Sequence, residues 1–256
     1  MEGEQMSKAV VVLSGGLDSC VALALAKTQC DEVVAAISFN YGQRHSKMEL
    51  DAAGLISSQY GLDHHVVPIS LGAGSSVLMN PNAEMPHLTY EELQASEGPS
   101  PTYVPYRNGT FLSIAASGAL DMNADLIYAG MHGEDAHNWA YPDCTPEFIG
   151  AMQNAIYIGT YHKVRLVCPF TYKTKAEIIH LGTTLGAPLY LTRSCYEGRD
   201  PACGQCPTCI ARLEAFKENG LKDPIEYEFD KYRDVGQGNT AERNVVVHNI
   251  SRSERT

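Results

Sequence analysis

Two short stretches of this chain carry residue types at spacings that suit chemistry. The first is Ser14-Gly15-Gly16-Leu17-Asp18-Ser19, set between two apolar runs. Paired glycines let a turn bring backbone N–H groups close to a ligand, and a helix that follows adds its positive end. Ser14 and Ser19 can donate to phosphate oxygens. An ionised Asp18 cannot, and beside phosphate it makes sense as a Mg²⁺ ligand. Leu17 would point back into the core as an anchor. The order is neither the Gly-x-x-x-x-Gly-Lys of P-loop nucleotidases nor the Gly-x-Gly-x-x-Gly of dinucleotide folds. An ordinary strand-to-helix turn would also use the glycines. The Ser-Gly-Gly-x-Asp-Ser order directly after a first strand favours a phosphate site.

The second stretch is Cys195-x7-Cys203-x2-Cys206-x2-Cys209. Four thiolates so close in sequence can close a tetrahedron around Zn²⁺ and leave no open coordination position, which points to a structural metal. An iron–sulfur cluster, as in some tRNA-thiolating enzymes, is the other reading that the spacing allows. The acidic charge, and no obvious RNA-binding appendage, weigh against it. Cys20, Cys30, Cys144 and Cys168 are scattered. The N-terminal residues show no cleavable signal pattern, so a cytoplasmic, reducing compartment and a metal rather than disulfides are expected.

These residues need a scaffold, and the hydrophobic pattern supplies one. Residues 8–13 read as a buried parallel strand: short, Val-rich and without alternation. "CVALALAKT" reads as a helix, 32–40 as a strand, 46–61 as an amphipathic helix closed by Gly61, and 64–70 as a third strand. Residues 71–103, rich in Gly, Pro and Ser, read as a mobile loop or lid over the site, with a short helix capped by Thr89-x-x-Glu92. Alternation resumes with a helix at 109–122, a strand at 125–132, a helix opened by Thr145-Pro146, a strand at 164–170 and a helix at 174–186 with a Thr174-x-x-Glu177 capping box. Alternating strands and helices imply a parallel sheet with helices on both faces. The predicted organisation is an ATP-binding α/β domain over 1–190, a four-cysteine zinc element over 191–229 and a polar tail over 230–256, in which "NVVVHNI" could add an edge strand.

Composition excludes some functions. A net charge of −11 argues against a general binder of nucleic-acid backbones, and no apolar run approaches the roughly 20 residues of a membrane span.

The turn resembles the PP-loop of the ATP pyrophosphatase superfamily. With "FNYGQRH", "YVP-RN--FLS", "YPDCTPEFI", "KAEII" and "SCYEG" followed by three cysteines, residues 8 to about 220 resemble the 7-cyano-7-deazaguanine synthase (QueC) family. The resemblance implies a Rossmann-like fold of the adenine nucleotide alpha hydrolase type, with a zinc-bearing C-terminal element, commonly dimeric. It implies adenylation of 7-carboxy-7-deazaguanine by ATP, displacement of AMP by ammonia, and a second adenylation that carries the amide to the nitrile.

Site residues follow from the same motifs. Ser14, Gly15, Gly16, Asp18 and Ser19 would hold pyrophosphate and Mg²⁺. Segment 38–45, with Ser38, Tyr41 and Arg44, ends the second strand where adenosine would lie. Arg44 and Arg107 are candidates for phosphate or carboxylate contacts. Lys175 could reach phosphate. Asn108 and Tyr141 fall in the expected substrate region, and Asp143 and Glu134 could accept from a guanine-like edge. Each of these arginines and carboxylates has a bland alternative as a surface ion pair or a cap.

The sequence also departs from the family pattern. Tyr106 stands where the family reads Gly in Val-Pro-Gly-Arg-Asn. The segment before "YPDC" carries His132, His137 and Trp139 in place of the usual run. These departures open a second reading, in which a relative of the family, as in some bacterial defence systems, joins the deazaguanine acid to a protein amine. A zinc-stabilised nucleotide-binding module without catalysis is a third.

Overall fold

Short Val- and Ala-rich runs form the middle of a five-stranded parallel sheet in the computed structural model, which describes residues 6–230 apart from 73–75, 90–91, 93–94 and 96–97. The strands are β1 (Lys8–Val12), β2 (Glu32–Asn40), β3 (Asp63–Pro68), β4 (Leu126–Ala129) and β5 (Arg165–Val167), in the order β3-β2-β1-β4-β5. β1 is central, and its Ala9, Val10 and Val11 are fully buried. That burial explains why the strand shows no alternation: both of its faces are covered.

Helices α1 (Leu17–Gln29) and α2 (Ser46–Gln59) cover one face through Cys20, Leu23, Ala53 and Ile56. Helices α3 (Arg107–Asp121) and α4 (Pro146–Gly159) cover the other through Leu112, Ala115, Ile149 and Met152. A third layer, α5 (Lys175–Thr184) and α6 (Pro207–Glu218), packs Ile178, Ile179 and Phe216 against Leu17 and Val21 of α1. The helix starts agree with the residues that announce them. Thr145 accepts from Phe148 N ahead of Pro146, and Thr174 and Glu177 form the reciprocal capping box.

Connections run from β1 outward in both directions, so the topological switch lies between β1 and β4 and opens a crevice at their carboxyl ends. The predicted strand 125–132 stops at Ala129. A Cβ on Gly130 would lie 2.7 Å from the backbone of Asp18, so the chain turns there in direct contact with the β1–α1 turn. The predicted strand 164–170 is cut to Arg165–Val167, ahead of Pro169, which has no N–H to donate to a ladder.

The lid that the sequence predicts over 71–103 is not what its described residues form. They are anchored: Leu78, Met85 and Thr102 are buried, and none of the described residues lines the cleft. Thr89 and Glu92 make the two reciprocal capping bonds, at 2.7 and 3.1 Å.

The C-terminal element is stitched to the sheet domain. The Arg193 amide donates to Gly15 O at 2.9 Å. Arg212, 1% exposed, forks onto Asp223 at 2.7 and 3.0 Å and donates to Thr192 Oγ1 and Leu189 O. Residues 231–256, with the "NVVVHNI" strand expectation, lie outside the described residues. No helix among the described residues is long and apolar enough to cross a membrane.

Candidate active site and cysteine cluster

The turn after β1 shapes itself. Ser19 Oγ donates to Gly16 O at 2.9 Å and accepts from Ser14 N at 3.2 Å, while Ser14 Oγ accepts from Gly16 N at 3.2 Å. Gly15 has φ +83°, and a Cβ there would lie 2.3 Å from Glu49 O, so α2 packs directly on the turn and only glycine fits. Gly16 caps α1 without a side-chain bond, which leaves first-turn N–H groups for a ligand.

Asp18 sits in this first turn. Its Oδ2 accepts from Lys175 Nζ at 2.5 Å, and His132 Nε2 lies 3.8 Å away. Burial pushes the carboxyl up, but Lys175 and His132 outweigh that and hold it below the usual carboxylate range. Asp18 Oδ1 is buried and has no hydrogen-bond partner. An orphaned, ionised oxygen at a helix N-terminus suits a hard divalent cation. Lys175 reaches the turn because its helix start is held from outside: Glu134 Oε2 accepts the Lys175 amide at 2.6 Å.

The opposite wall is aromatic and cationic. Phe39 and Phe111 stack at 4.2 Å between centroids, and the Arg107 guanidinium lies 5.9 Å from the rings of both Tyr41 and Phe111. Arg107 donates to Tyr41 OH at 3.3 Å, and its Nε is buried without a partner. Among the described residues no carboxylate pairs with it, so this cation is available to an anion in the cleft. The cleft is about 210 Å³ and runs from Ser14–Ser19 past Ser38 and Tyr41 to Arg107 and Asn108.

Four expected contacts lie off the cleft. Arg44 turns away and donates to Ala83 O at 2.9 Å. Tyr141 is buried in hydroxyl bonds with Ser100 and Thr102. Asp143 Oδ2 accepts the Asn108 amide at 2.9 Å, so it fixes the start of α3 from behind, as Glu134 fixes α5. His132 is drawn into the Asp18–Lys175 cluster, at 3.4 Å from Lys175 Nζ, whereas Trp139 is 65% exposed. The cleft also takes His45, Glu49, Cys144, Arg193 and Tyr196. Sequence reasoning gave none of these an individual role, although His45, Cys144 and Tyr196 lie within motifs that it quoted. The His-x-x-x-Glu spacing of His45 and Glu49, one helical turn, was the available signal.

Cys195, Cys203, Cys206 and Cys209 converge, with all four sulfurs within 4.8 Å of one another and all four residues buried. An ion bonded to four sulfurs at about 2.3 Å places them about 3.8 Å apart. Cys203 Sγ and Cys209 Sγ are 3.9 Å apart. The Cys203 and Cys206 amides point at Cys195 and Cys203 sulfurs at 3.4 and 3.3 Å, which suits thiolates. The donor set therefore fits one soft or borderline cation.

A parallel sheet in this order, with a self-bonded glycine turn feeding a helix at its switch point, defines a Rossmann-like α/β domain whose turn suits an anion. The family model described as queuosine biosynthesis protein QueC matches residues 8–220, and the chain belongs to that family. It is 42% identical over 227 residues to a 7-cyano-7-deazaguanine synthase of Pseudoalteromonas atlantica, covering 87% of this chain and 100% of that one. It is 42% identical to the synthase of Thermoplasma acidophilum (88% and 93% covered) and 44% identical to that of Clostridium kluyveri (88% and 100% covered).

Proposed function

We propose that the protein is an ATP-dependent carbon–nitrogen ligase. It adenylates 7-carboxy-7-deazaguanine and converts it with ammonia, through the amide, to 7-cyano-7-deazaguanine. The observation that carries this reading is the shared cleft: an anion cradle with an orphaned carboxylate oxygen at one end, and an unpaired guanidinium among aromatic rings at the other. The product named for the relatives supplies the identity of the acid.

In this reading Ser14, Gly15, Gly16 and Ser19 hold the β- and γ-phosphates, and Lys175 adds a cation beside them. Ser38 and Tyr41 flank adenosine. Arg107 pairs with the carboxylate of the acid, and the Tyr41–Phe111 wall stacks on its ring. Asp18 is the ligand for Mg²⁺, which when bound spreads the charge of the departing pyrophosphate. Cys195, Cys203, Cys206 and Cys209 hold one structural Zn²⁺. A cubane cluster would put an iron behind each thiolate and spread the sulfurs more widely than this compact set. Adenylation is needed because a carboxylate is a poor electrophile and hydroxide a poor leaving group. Glu134 and Asp143 position Lys175 and Asn108.

Mass spectrometry tests this directly. With the acid, ATP, Mg²⁺ and ¹⁵N-ammonium, the expected products are labelled amide, then labelled nitrile, with AMP formed at each step. Synthetic amide plus ATP should also give nitrile. AMP release from the acid without conversion of the amide would overturn the nitrile route, and an acyl mass on a protein amine would replace it with conjugation.

A further inference from the structure

Each carbon–nitrogen step of the proposed reaction releases protons, and the imidazole that takes them must line the cleft. At the phosphate end Asp18 is bound up with Lys175. His132 Nε2 faces Lys175 at 3.4 Å and Asp18 and Asp135 at 3.8 and 3.6 Å, and although its Nδ1 is buried without a partner, His132 does not line the cleft. The other wall holds a different arrangement. His45 caps the start of α2, and its imidazole Nε2 lies 3.5 Å from Glu49 Oε1 one turn later. Glu49 Oε2 accepts from Gln43 Nε2 at 2.8 Å, and Gln43 in turn accepts the Tyr41 amide at 3.1 Å. Both Glu49 oxygens are thus oriented, and the carboxylate stays ionised: burial pushes it up, and His45 and Gln43 more than offset that. His45 is 5% exposed, lines the cleft, and keeps Nδ1 buried without a partner. Glu49 from α2 and Tyr196 from the cysteine loop, at 5.7 Å between ring centroids, face it, and Arg107 from α3 and Tyr41, just after β2, line the same cleft.

We infer that His45 is the general base of the carbon–nitrogen steps, and that Glu49 is its positioning residue. The inference rests on the reaction proposed above. A proton on Nε2, directed at Glu49, leaves the Nδ1 lone pair free. A buried nitrogen with a free lone pair, oriented by a carboxylate and set in a reaction cleft, is the arrangement by which an imidazole takes a proton from a nucleophile.

The step balances as follows. The ammonia lone pair forms a C–N bond to the acyl carbon of the adenylate, and the nitrogen of the tetrahedral adduct is positively charged. His45 Nδ1 takes one N–H proton from it. The C–O bond to AMP then breaks, its electron pair leaves with AMP, and the carbonyl re-forms as the amide. The imidazolium passes its proton to water once AMP has left. In the second step the O-adenylated amide must lose both N–H protons as its C–O bond breaks to give the nitrile. His45 serves again, and the same water path takes the second proton. Adenylation itself needs no base, since an ionised carboxylate attacks the α-phosphorus.

That asymmetry provides the test. Full-length wild type, His45→Gln and Glu49→Gln are compared in ATP–pyrophosphate exchange with the acid and no ammonium, and in single-turnover amide formation with ¹⁵N-ammonium. Exchange in His45→Gln should fall by less than about threefold, while amide formation falls on the order of 100-fold or more. Glu49→Gln keeps a hydrogen-bonding amide beside Gln43 and serves if His45→Gln fails to fold. It should lose about tenfold in amide formation while exchange stays within about threefold of wild type. A purely structural role would lower both reactions together, and that result overturns the inference. Amide formation at the wild-type rate in His45→Gln overturns it as well. A wild type that shows no exchange with this acid overturns the proposed reaction, and the base assignment with it.

Discussion

The turn at 14–19 and the cysteine loop at 195–209 each gather polar groups into a few residues, but they differ in what keeps them in shape. The turn is closed by its own hydrogen bonds among Ser14, Gly16 and Ser19, and by α2 pressing on Gly15. It is therefore formed before any ligand arrives, which is what electrostatic stabilisation of a leaving group requires. The cysteine loop is closed differently: beside Gly198 N to Cys195 O, its inner bonds run from the Cys203, Gln205 and Cys206 amides to sulfur and so depend on the thiolates. Four buried sulfurs within 4.8 Å cannot all ionise without a cation among them, so the shape of the loop and the presence of the metal are one equilibrium. Ligand loss should empty the first region and unfold the second.

The largest effect follows from that difference. Cys206→Ser should reduce a full complement of one Zn²⁺ per chain to a small fraction, and it should destabilise the C-terminal element by several kcal/mol, since structural metal binding is folding free energy. Elemental analysis and thermal unfolding give both readings. Iron with sulfide in the wild type would instead restore the cluster reading.

Asp18→Asn attacks the preformed region. Its carboxylate takes no part in the bonds that close the turn, so the melting temperature should hold to within a few degrees. Pyrophosphate release should fall on the order of 10³-fold, as charge compensation in the turn is lost. A variant that keeps near-normal release would separate Asp18 from the reaction.

Arg212 links the two regions. Its fork onto Asp223 is buried, and it also holds Thr192, next to Arg193, whose amide meets Gly15 O. Arg212→Ala leaves the buried Asp223 carboxylate with its Tyr227 and Ile225 hydrogen bonds but no counter-charge, a change that costs about 3 kcal/mol. If the link matters to function, pyrophosphate release should fall about tenfold at a temperature where the variant is still folded. Unchanged release would show that the turn is independent of the cysteine element.

These regions also differ in how they could be read from sequence. The sheet was legible because burial on both faces leaves uniform apolar runs, and helix starts such as Thr174-x-x-Glu177 are local chemistry. The turn and the cysteines were legible because their residues are neighbours in the chain. The Arg107 wall was visible only in part: Phe39, Tyr41 and Phe111 meet by strand–helix packing that no local pattern announces. Sequence position alone puts Arg44 on the cleft, because it follows β2. It turns away because the backbone carbonyl of Ala83, in a segment whose composition reads as mobile, accepts its guanidinium.

The smallest effect concerns Tyr106, and it sharpens the comparison at the level of one dihedral. Gly15 and Tyr106 both have positive φ, +83° and +57°. At Gly15 a Cβ meets backbone at 2.3 Å, so substitution there should be severe. Tyr106 stands at the rim of the site, 57% exposed, with its ring edge-on to Phe148 at 5.8 Å and lying over Gly109. Restoring glycine relieves roughly 1 kcal/mol of left-handed strain. It adds a similar entropy cost through the unfolded chain and gives up an aromatic contact worth about 0.5–1.5 kcal/mol, discounted here for exposure. Tyr106→Gly should therefore be destabilised by less than about 1 kcal/mol in denaturant unfolding. Since the Tyr106 ring does not line the cleft, ammonium-dependent turnover should stay within about twofold. A tenfold change in turnover at unchanged stability would mean that this ring shapes the entry of the amine, and would move acceptor choice from the preformed cradle to the rim.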